Sequence, residues 1–143
     1  MKTVVFVCTG NTCRSPMAAG LFHVLLRQNG VTDVAVTSCG TGAFPGMPPT
    51  DQAVTAAAEY GADISDHRSR PLSSYLLAEG DLFVCMTVQH RAFLLHYLPP
   101  EKTCVLSSGI SDPFGGDLAQ YRACAAQIWD GLQSLIKEFL PCE

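Results

Sequence analysis

Eight consecutive residues, Cys8-Thr9-Gly10-Asn11-Thr12-Cys13-Arg14-Ser15, set a thiol and a guanidinium on either side of five small or polar residues. A thiolate is a strong nucleophile toward phosphorus. A guanidinium presents a planar fork that matches two phosphate oxygens. Gly10 is expected to allow backbone angles that other residues resist. Asn11 is among the non-glycine residues that best tolerate a left-handed conformation. Where such a loop enters a helix, its N–H groups form an anion nest in the positive field of the helix N-terminus. The same field is expected to lower the pKa of Cys8. Ser15 can donate its hydroxyl to the sulfur, steadying the thiolate and easing its later departure. The pattern predicts a Cys8 nucleophile, with Arg14 and the loop residues Thr9, Gly10, Asn11, Thr12 and Cys13 around the bound oxyanion.

The spacing alone is a weak signal, because Cys85 and Arg91 repeat it. The interior of that second match, Met-Thr-Val-Gln-His, has no glycine and runs from a strand end into a helix, so it reads as structural. A second segment with chemical potential is Ser111-Asp112-Pro113-Phe114-Gly115-Gly116. Asp112 can protonate a leaving group. Pro113 holds the preceding residue extended, and Phe114 can wall the pocket entrance. A plain turn made by the Asp-Pro and Gly-Gly pairs is the alternative, and the residues by themselves favour it.

The elements that must position these groups follow from patterning. Thr3–Val7 is a continuous β-branched and aromatic run, as in a strand buried on both faces. Ser15 reads as an N-cap with Pro16 at the first helical position, and the helix closes before Gly30. Further strands are expected at Val34–Ser38, Leu82–Met86 and Thr103–Leu106. Residues 40–49 read as an exposed Gly/Pro-rich loop. Thr50 caps a helix reaching about Tyr60, Leu72–Ala78 holds a short helix, and Thr87–Tyr97 a long one. The last helix runs from about Asp117 to Phe139 with Leu118, Tyr121, Ala125, Ile128, Leu132, Leu135 and Phe139 on one stripe. Strands alternating with helices imply an α/β fold with a parallel sheet. Such sheets bind ligands at the carboxyl ends of their strands, where the loops after strands one and four both lie.

The chain has 143 residues, enough for one domain spanning 1–143 with a sizeable core. A net charge of −4 argues against nucleic-acid partners and against an electrostatic membrane anchor. The apolar run after Lys2 is too short for a signal peptide and no stretch reaches membrane-spanning length, so a cytoplasmic protein is expected. Seven cysteines, with no Cys-x-x-Cys pair, suit neither a disulfide framework nor a zinc ribbon. The four histidines form no metal-ligand spacing. No cofactor or metal is expected.

With both loops in view, the sequence resembles the low-molecular-weight protein tyrosine phosphatases. Val7 through Pro16 matches that family's Cys-x-Gly-Asn-x-Cys-Arg-Ser-Pro pattern, and Asp112-Pro113-Phe114 matches its acid loop. The middle segment Asp66-His67-Arg68-Ser69-Arg70 also looks familial. The resemblance covers nearly the whole chain. It implies a three-layer sandwich, a four-stranded parallel sheet of flavodoxin-like order with helices on both faces. It also implies a phosphocysteine on Cys8, with Asp112 first protonating the leaving group and then activating water. The partners implied are phosphorylated proteins, with phosphate or other oxyanions in the loop, and the chain is expected to be monomeric. Threonine at position 12 stands where the tyrosine-specific members carry an aliphatic residue. With Asp-Pro-Phe-Gly-Gly downstream it resembles the bacterial protein-arginine phosphatase branch, whose guanidinium leaving group suits a hydroxyl; phosphotyrosine is the alternative substrate. Phe44 falls where family members often carry an aromatic pocket wall, although an exposed loop aromatic fits equally well. Cys13 matches the second loop cysteine and can trap an oxidised Cys8 as a disulfide; a packed small thiol is the plainer reading. Thioredoxin-coupled arsenate reductases share the loop but need two further cysteines after strand three, which are missing here. A non-catalytic phosphate-binding module is a third reading, disfavoured because nucleophile, arginine and acid are all present.

Overall fold

The computed structural model describes residues 1–141. Four strands form one parallel sheet: β1 (Lys2–Cys8), β2 (Val34–Gly40), β3 (Leu82–Cys85) and β4 (Thr103–Val105), in the order β2-β1-β3-β4. Helices α1 (Arg14–Gln28), α2 (Asp51–Ala58) and α5 (Leu118–Leu135) cover one face; α3 (Ser74–Glu79) and α4 (Val88–Leu94) cover the other. This is the expected three-layer α/β arrangement. The central strand shows why its sequence is apolar throughout. Val4, Phe6 and Cys8 pack with α1 and α5, while Val5 and Val7 pack with Leu76 and Leu94 on the opposite side. Strand alternation thereby sends the Cys8 side chain toward the start of α1.

The larger core is tied to the sheet by aromatic contacts. Phe22 makes edge-on contacts of 5.6 Å with both Phe6 and Phe139. Thr50, Ser73 and Thr87 each accept a backbone N–H at the head of α2, α3 and α4, contacts that contribute about 1 kcal/mol apiece. Asp117 and Gln120 close a reciprocal capping box on α5. Gly30 takes φ +69° just past α1, as its position suggested. The helix expected to reach Tyr97 ends at Leu94, and α5 tightens into a 3₁₀ turn at Ile136–Phe139 before the chain leaves it. Among the described residues no helix is long and apolar enough to cross a membrane. Cys142 lies outside the described residues.

The strand order reverses between β1 and β3, and ligand crevices open at such a switch, beyond the carboxyl ends of the strands. Residues 9–13 leave β1 there, and the 109–117 segment that follows β4 arches over the same end.

Candidate active site

The loop after β1 is built around Asn11, the residue in the left-handed region at φ 59°. Gly10 is not there, and a Cβ on it would meet only Thr12 Oγ1 at 3.7 Å. The backbone freedom expected of Gly10 is thus supplied by Asn11, which is fully buried and held at every polar atom. Its N–H donates to Cys8 Sγ at 3.2 Å. Its Nδ2 donates to Ser15 Oγ at 2.8 Å and Ser38 Oγ at 3.0 Å. Its Oδ1 accepts from the Arg70 backbone N–H at 2.9 Å, and its carbonyl accepts from His67 Nε2 at 2.7 Å. The last contact fixes the His67 tautomer, since a carbonyl can only accept. Burial, opposed by that bond and reinforced by Arg70 and Arg68, lowers the His67 pKa.

Ser15 is not the N-cap. The helix begins at Arg14 with Cys13 before it and no side-chain cap. The Ser15 hydroxyl accepts from Asn11 Nδ2, which leaves its one hydrogen for Cys8 Sγ at 2.8 Å or the Cys39 carbonyl at 3.4 Å. The closer sulfur is the better acceptor by distance. The hydroxyl expected to cap the helix is spent on the Cys8 thiol instead.

Cys8 is 3% exposed. Burial is the largest influence on its thiol and pushes the pKa above the ordinary value, contrary to the lowering expected from the loop. The Ser15 hydroxyl, the Ser15 and Asn11 N–H groups and the Arg14 guanidinium all act in the expected direction. The sequence names those groups but cannot show how deeply the sulfur lies beneath them.

Arg14 is 6% exposed. One of its terminal nitrogens donates to the Ile110 carbonyl at 3.0 Å, and the other lies 3.6 Å from Asp112 Oδ2. Asp112 has a side chain 55% exposed, so it compensates the buried guanidinium only in part. A buried charge with a half-solvated partner costs several kcal/mol, which an entering anion would offset. Gly10, Thr12 and Cys13 add backbone N–H groups that have no acceptor among the described residues. Asp112 Oδ1 accepts from the Phe114 N–H at 3.0 Å, which points the carboxyl back over the cavity.

The resulting cavity, about 240 Å³, is lined by Cys8 through Arg14 together with Asp112 and Phe114. It joins the two segments that the sequence singled out, across roughly one hundred residues of chain. Phe44 is absent from its lining and is 74% exposed on the loop after β2; that loop turns outward, tied to Ser69 by the Phe44 carbonyl and the Gly46 and Met47 N–H groups. Cys13 packs its sulfur 3.2 Å from the Tyr121 hydroxyl. The Cys85–Arg91 match is structural: Cys85 is fully buried in β3 and Arg91 Nε donates to Thr103 Oγ1.

Sequence reasoning gave no role to Ser38, His67, Arg70 or His90, which reach the loop from 27, 56, 59 and 81 residues away. It also passed over Gly40. That residue pairs with Cys8, and a Cβ there would lie 2.3 Å from the Thr9 carbonyl oxygen. No local spacing announces any of these.

Comparison with known proteins agrees with the geometry. Residues 3–140 match the family described as low molecular weight phosphotyrosine protein phosphatase. The protein-arginine-phosphatase of Bacillus subtilis is 33% identical over 144 residues, covering 94% of this chain and 95% of that one. A probable low molecular weight protein-tyrosine-phosphatase, EpsP, from Ralstonia nicotianae is also 33% identical, over 95% of this chain and 94% of its own length. The crystal structure of a low molecular weight protein tyrosine phosphatase from T. tengcongensis superposes with a TM-score of 0.89 at 35% identity, covering 96% of this chain and 99% of that one. A thiol, a buried guanidinium and a carboxyl around one cavity, on this fold and in this order, have the same meaning as the match: the chain belongs to the low molecular weight phosphotyrosine protein phosphatase family.

Proposed function

We propose that the chain removes phosphoryl groups from arginine side chains of proteins, with Cys8 as nucleophile and Asp112 as general acid and base. As a member of its family it is a protein phosphatase, a hydrolase. In the first step Cys8 Sγ attacks phosphorus, the bond from phosphorus to the leaving nitrogen breaks, and the Asp112 carboxyl gives that nitrogen its proton. In the second, the Asp112 carboxylate takes a proton from water, the water oxygen bonds to phosphorus, and the P–S bond breaks to release phosphate and Cys8. Arg14 and the free N–H groups of the loop stabilise the charge on the equatorial oxygens in both steps. Attack requires the thiolate, and the contacts from Ser15, Asn11 and Arg14 favour that form against burial.

The observation that carries the choice of phosphoarginine is Thr12. It stands half-buried on the cavity wall, in one lining with Cys8 and Asp112. A hydroxyl there can accept from a guanidinium N–H, and so can an oxygen of Asp112 in the same lining. An aryl leaving group would still take a proton from Asp112 but would leave the Thr12 hydroxyl without a partner. One observation favours phosphotyrosine instead: Phe114 lines the same cavity with its ring 71% exposed, a surface on which a phenyl group can stack. The two relatives above are equally identical to the chain and carry different substrate names, so identity does not decide.

Turnover of a phosphoarginine and a phosphotyrosine peptide side by side, with Cys8→Ser as the blank, tests the reading. A preference for phosphoarginine that shrinks at least tenfold in Thr12→Ile supports it. A preference for phosphotyrosine overturns the substrate assignment and leaves the cysteine chemistry standing.

A further inference from the structure

One buried imidazole at the edge of the cavity takes no part in the steps above. His90 lies in the first turn of α4 and is 6% exposed. Its Nε2 is 2.8 Å from Thr9 Oγ1 and its Nδ1 is 3.0 Å from Thr87 Oγ1. The ring thus bridges the cap of α4 to the residue that follows the nucleophile.

The hydrogen positions follow from donor accounting. Thr87 Oγ1 accepts from the His90 backbone N–H at 3.2 Å as the helix cap. Its own hydrogen has no other acceptor than Nδ1 among the described residues. Thr9, exposed on the cavity wall, can turn its hydrogen to a bound anion, whereas the half-buried Thr87 cannot; with an anion present, both hydrogens are paired only when Thr87 donates to Nδ1 and the neutral ring carries its proton on Nε2. Nε2–H donates to Thr9 Oγ1. The Thr9 hydrogen is left unspent, and Thr9 is part of the cavity wall. The opposite tautomer would consume that hydrogen and show the cavity only lone pairs, which repel an oxyanion. Burial, with Arg14 reinforcing it and Asp112 opposing it, lowers the His90 pKa to about 4, so the ring is neutral at pH 7.

We propose that His90 is a positioning residue for phosphoryl transfer: by donating to Thr9 it turns the Thr9 hydroxyl hydrogen toward the oxygens of the group being transferred. The inference rests on the phosphatase reading of the cavity. A neutral donor fixed beforehand gains most where charge has spread onto those oxygens, in the transition state rather than the bound substrate. The expected signature is a fall in kcat with KM little changed.

The test is steady-state kinetics on para-nitrophenyl phosphate, with inhibition constants for inorganic phosphate and for vanadate, which mimics the five-coordinate transition state. His90→Ala is expected to lower kcat about tenfold, to weaken vanadate by a similar factor, and to leave phosphate inhibition within about twofold. His90→Gln, whose amide can donate to Thr9 and accept from Thr87, is expected to recover most of the loss. Thr9→Val, at an exposed position, is expected to show the same split, and adding His90→Ala to it is expected to cost nothing further. Should His90→Ala fail to fold, Thr9→Val and His90→Gln carry the same comparison. Equal losses of phosphate and vanadate affinity, additive effects in the double variant, or unchanged kcat in Thr9→Val would overturn the inference while parental turnover still supports the phosphatase reading. No turnover by the parent would overturn that reading and this inference with it.

Discussion

Replacing Gly40 by alanine tests whether the end of β2 sets the position of the phosphate-binding loop. A Cβ at residue 40 would lie 2.3 Å from the Thr9 carbonyl oxygen, 2.8 Å from Ala43 Cβ and 3.0 Å from the Thr9 carbonyl carbon. Carbon and carbonyl oxygen in contact keep roughly 3.3 Å or more, so the two backbones must part by about 1 Å. Neither has an easy retreat. The Gly40 N–H donates to the Arg70 carbonyl and its own carbonyl accepts from Leu72, both at 3.0 Å; the Thr9 carbonyl accepts from the Gly42 N–H at 3.0 Å. Overpacking of this kind costs about 1–3 kcal/mol. A shift of about 1 Å in a loop that aligns a nucleophile lowers turnover on the order of a hundredfold. The assay is kcat/KM on para-nitrophenyl phosphate beside a thermal melt. Gly30→Ala is the control: Gly30 has φ +69° and open space around it at the far end of α1. That change is expected to cost about 1 kcal/mol of stability with activity intact. A Gly40→Ala enzyme within twofold of the parent, or one whose activity loss merely follows its stability loss as in Gly30→Ala, would refute the reasoning.

Three further outcomes are expected. Ser15→Ala removes the strongest of the contacts that oppose burial at Cys8, so alkylation of Cys8 by iodoacetate at pH 7 should slow roughly tenfold and its pH midpoint should move upward; an unmoved midpoint would show that the hydroxyl does not favour the thiolate. Cys39, Cys85 and Cys124 are pushed by burial from the ordinary 9.0 up to about 12. The unfolded chain releases those protons first, so stability is complete below pH 9 and is lost between pH 9 and 12, by roughly 1.4 kcal/mol per thiol per pH unit; a urea midpoint unchanged from pH 7 to pH 10 would contradict this. Enzyme inactivated by peroxide should recover fully in dithiothreitol if Cys13 Sγ displaces water from a Cys8 sulfenic acid to form a disulfide, and a Cys13→Ser variant that recovers equally well would remove Cys13 from that role.

Much of this architecture was legible in the sequence because it rests on local rules. The apolar run of β1, the Thr50 cap, the stripe on α5 and the glycines after α1 and α2 each act within one element. The two loops were legible for the same reason, since each carries its chemistry in consecutive residues. What was not legible is what one element does to another. Ser15 looks like a cap because serine before proline usually is one; that its hydroxyl serves Cys8 depends on Asn11 reaching it from the left-handed turn. The pKa direction of Cys8 runs opposite to what the sequence predicts because the loop's groups can be read off, whereas the desolvation that outweighs them is a property of the packed core. Phe44 was placed by analogy within a loop whose path is set by Ser69, twenty-five residues on. Gly40 and His90 act through contacts with no sequence periodicity at all.

The two halves of the site are held to very different degrees, and the chemistry accounts for it. Asn11 is bonded to Cys8 and Ser15 within the loop and to Ser38, His67 and Arg70 outside it, so the Cys8 loop is fixed from two other segments before any substrate arrives. Transition-state stabilisation by N–H groups requires this, since donors that must reorient lose their advantage. The acid loop is anchored up to Ser111: the Ile110 carbonyl accepts from Arg14 and its N–H donates to the Met86 carbonyl, Gln127 bonds the Gly109 carbonyl and the Ser111 N–H, and Cys124 Sγ donates to the Ser111 carbonyl, whereas Asp112 itself bonds its own neighbour Phe114 and lies 3.6 Å from Arg14. Its carboxyl stays half-exposed. In the proposed reaction Asp112 gives a proton to a departing side chain and then takes one from water that enters where that side chain was. A carboxyl sealed in place could do the first and not the second. Arg14 joins the halves, because the guanidinium to which the proposal gives the oxyanion also holds the carbonyl two residues before Asp112. Phosphate geometry and proton delivery therefore share one buried charge.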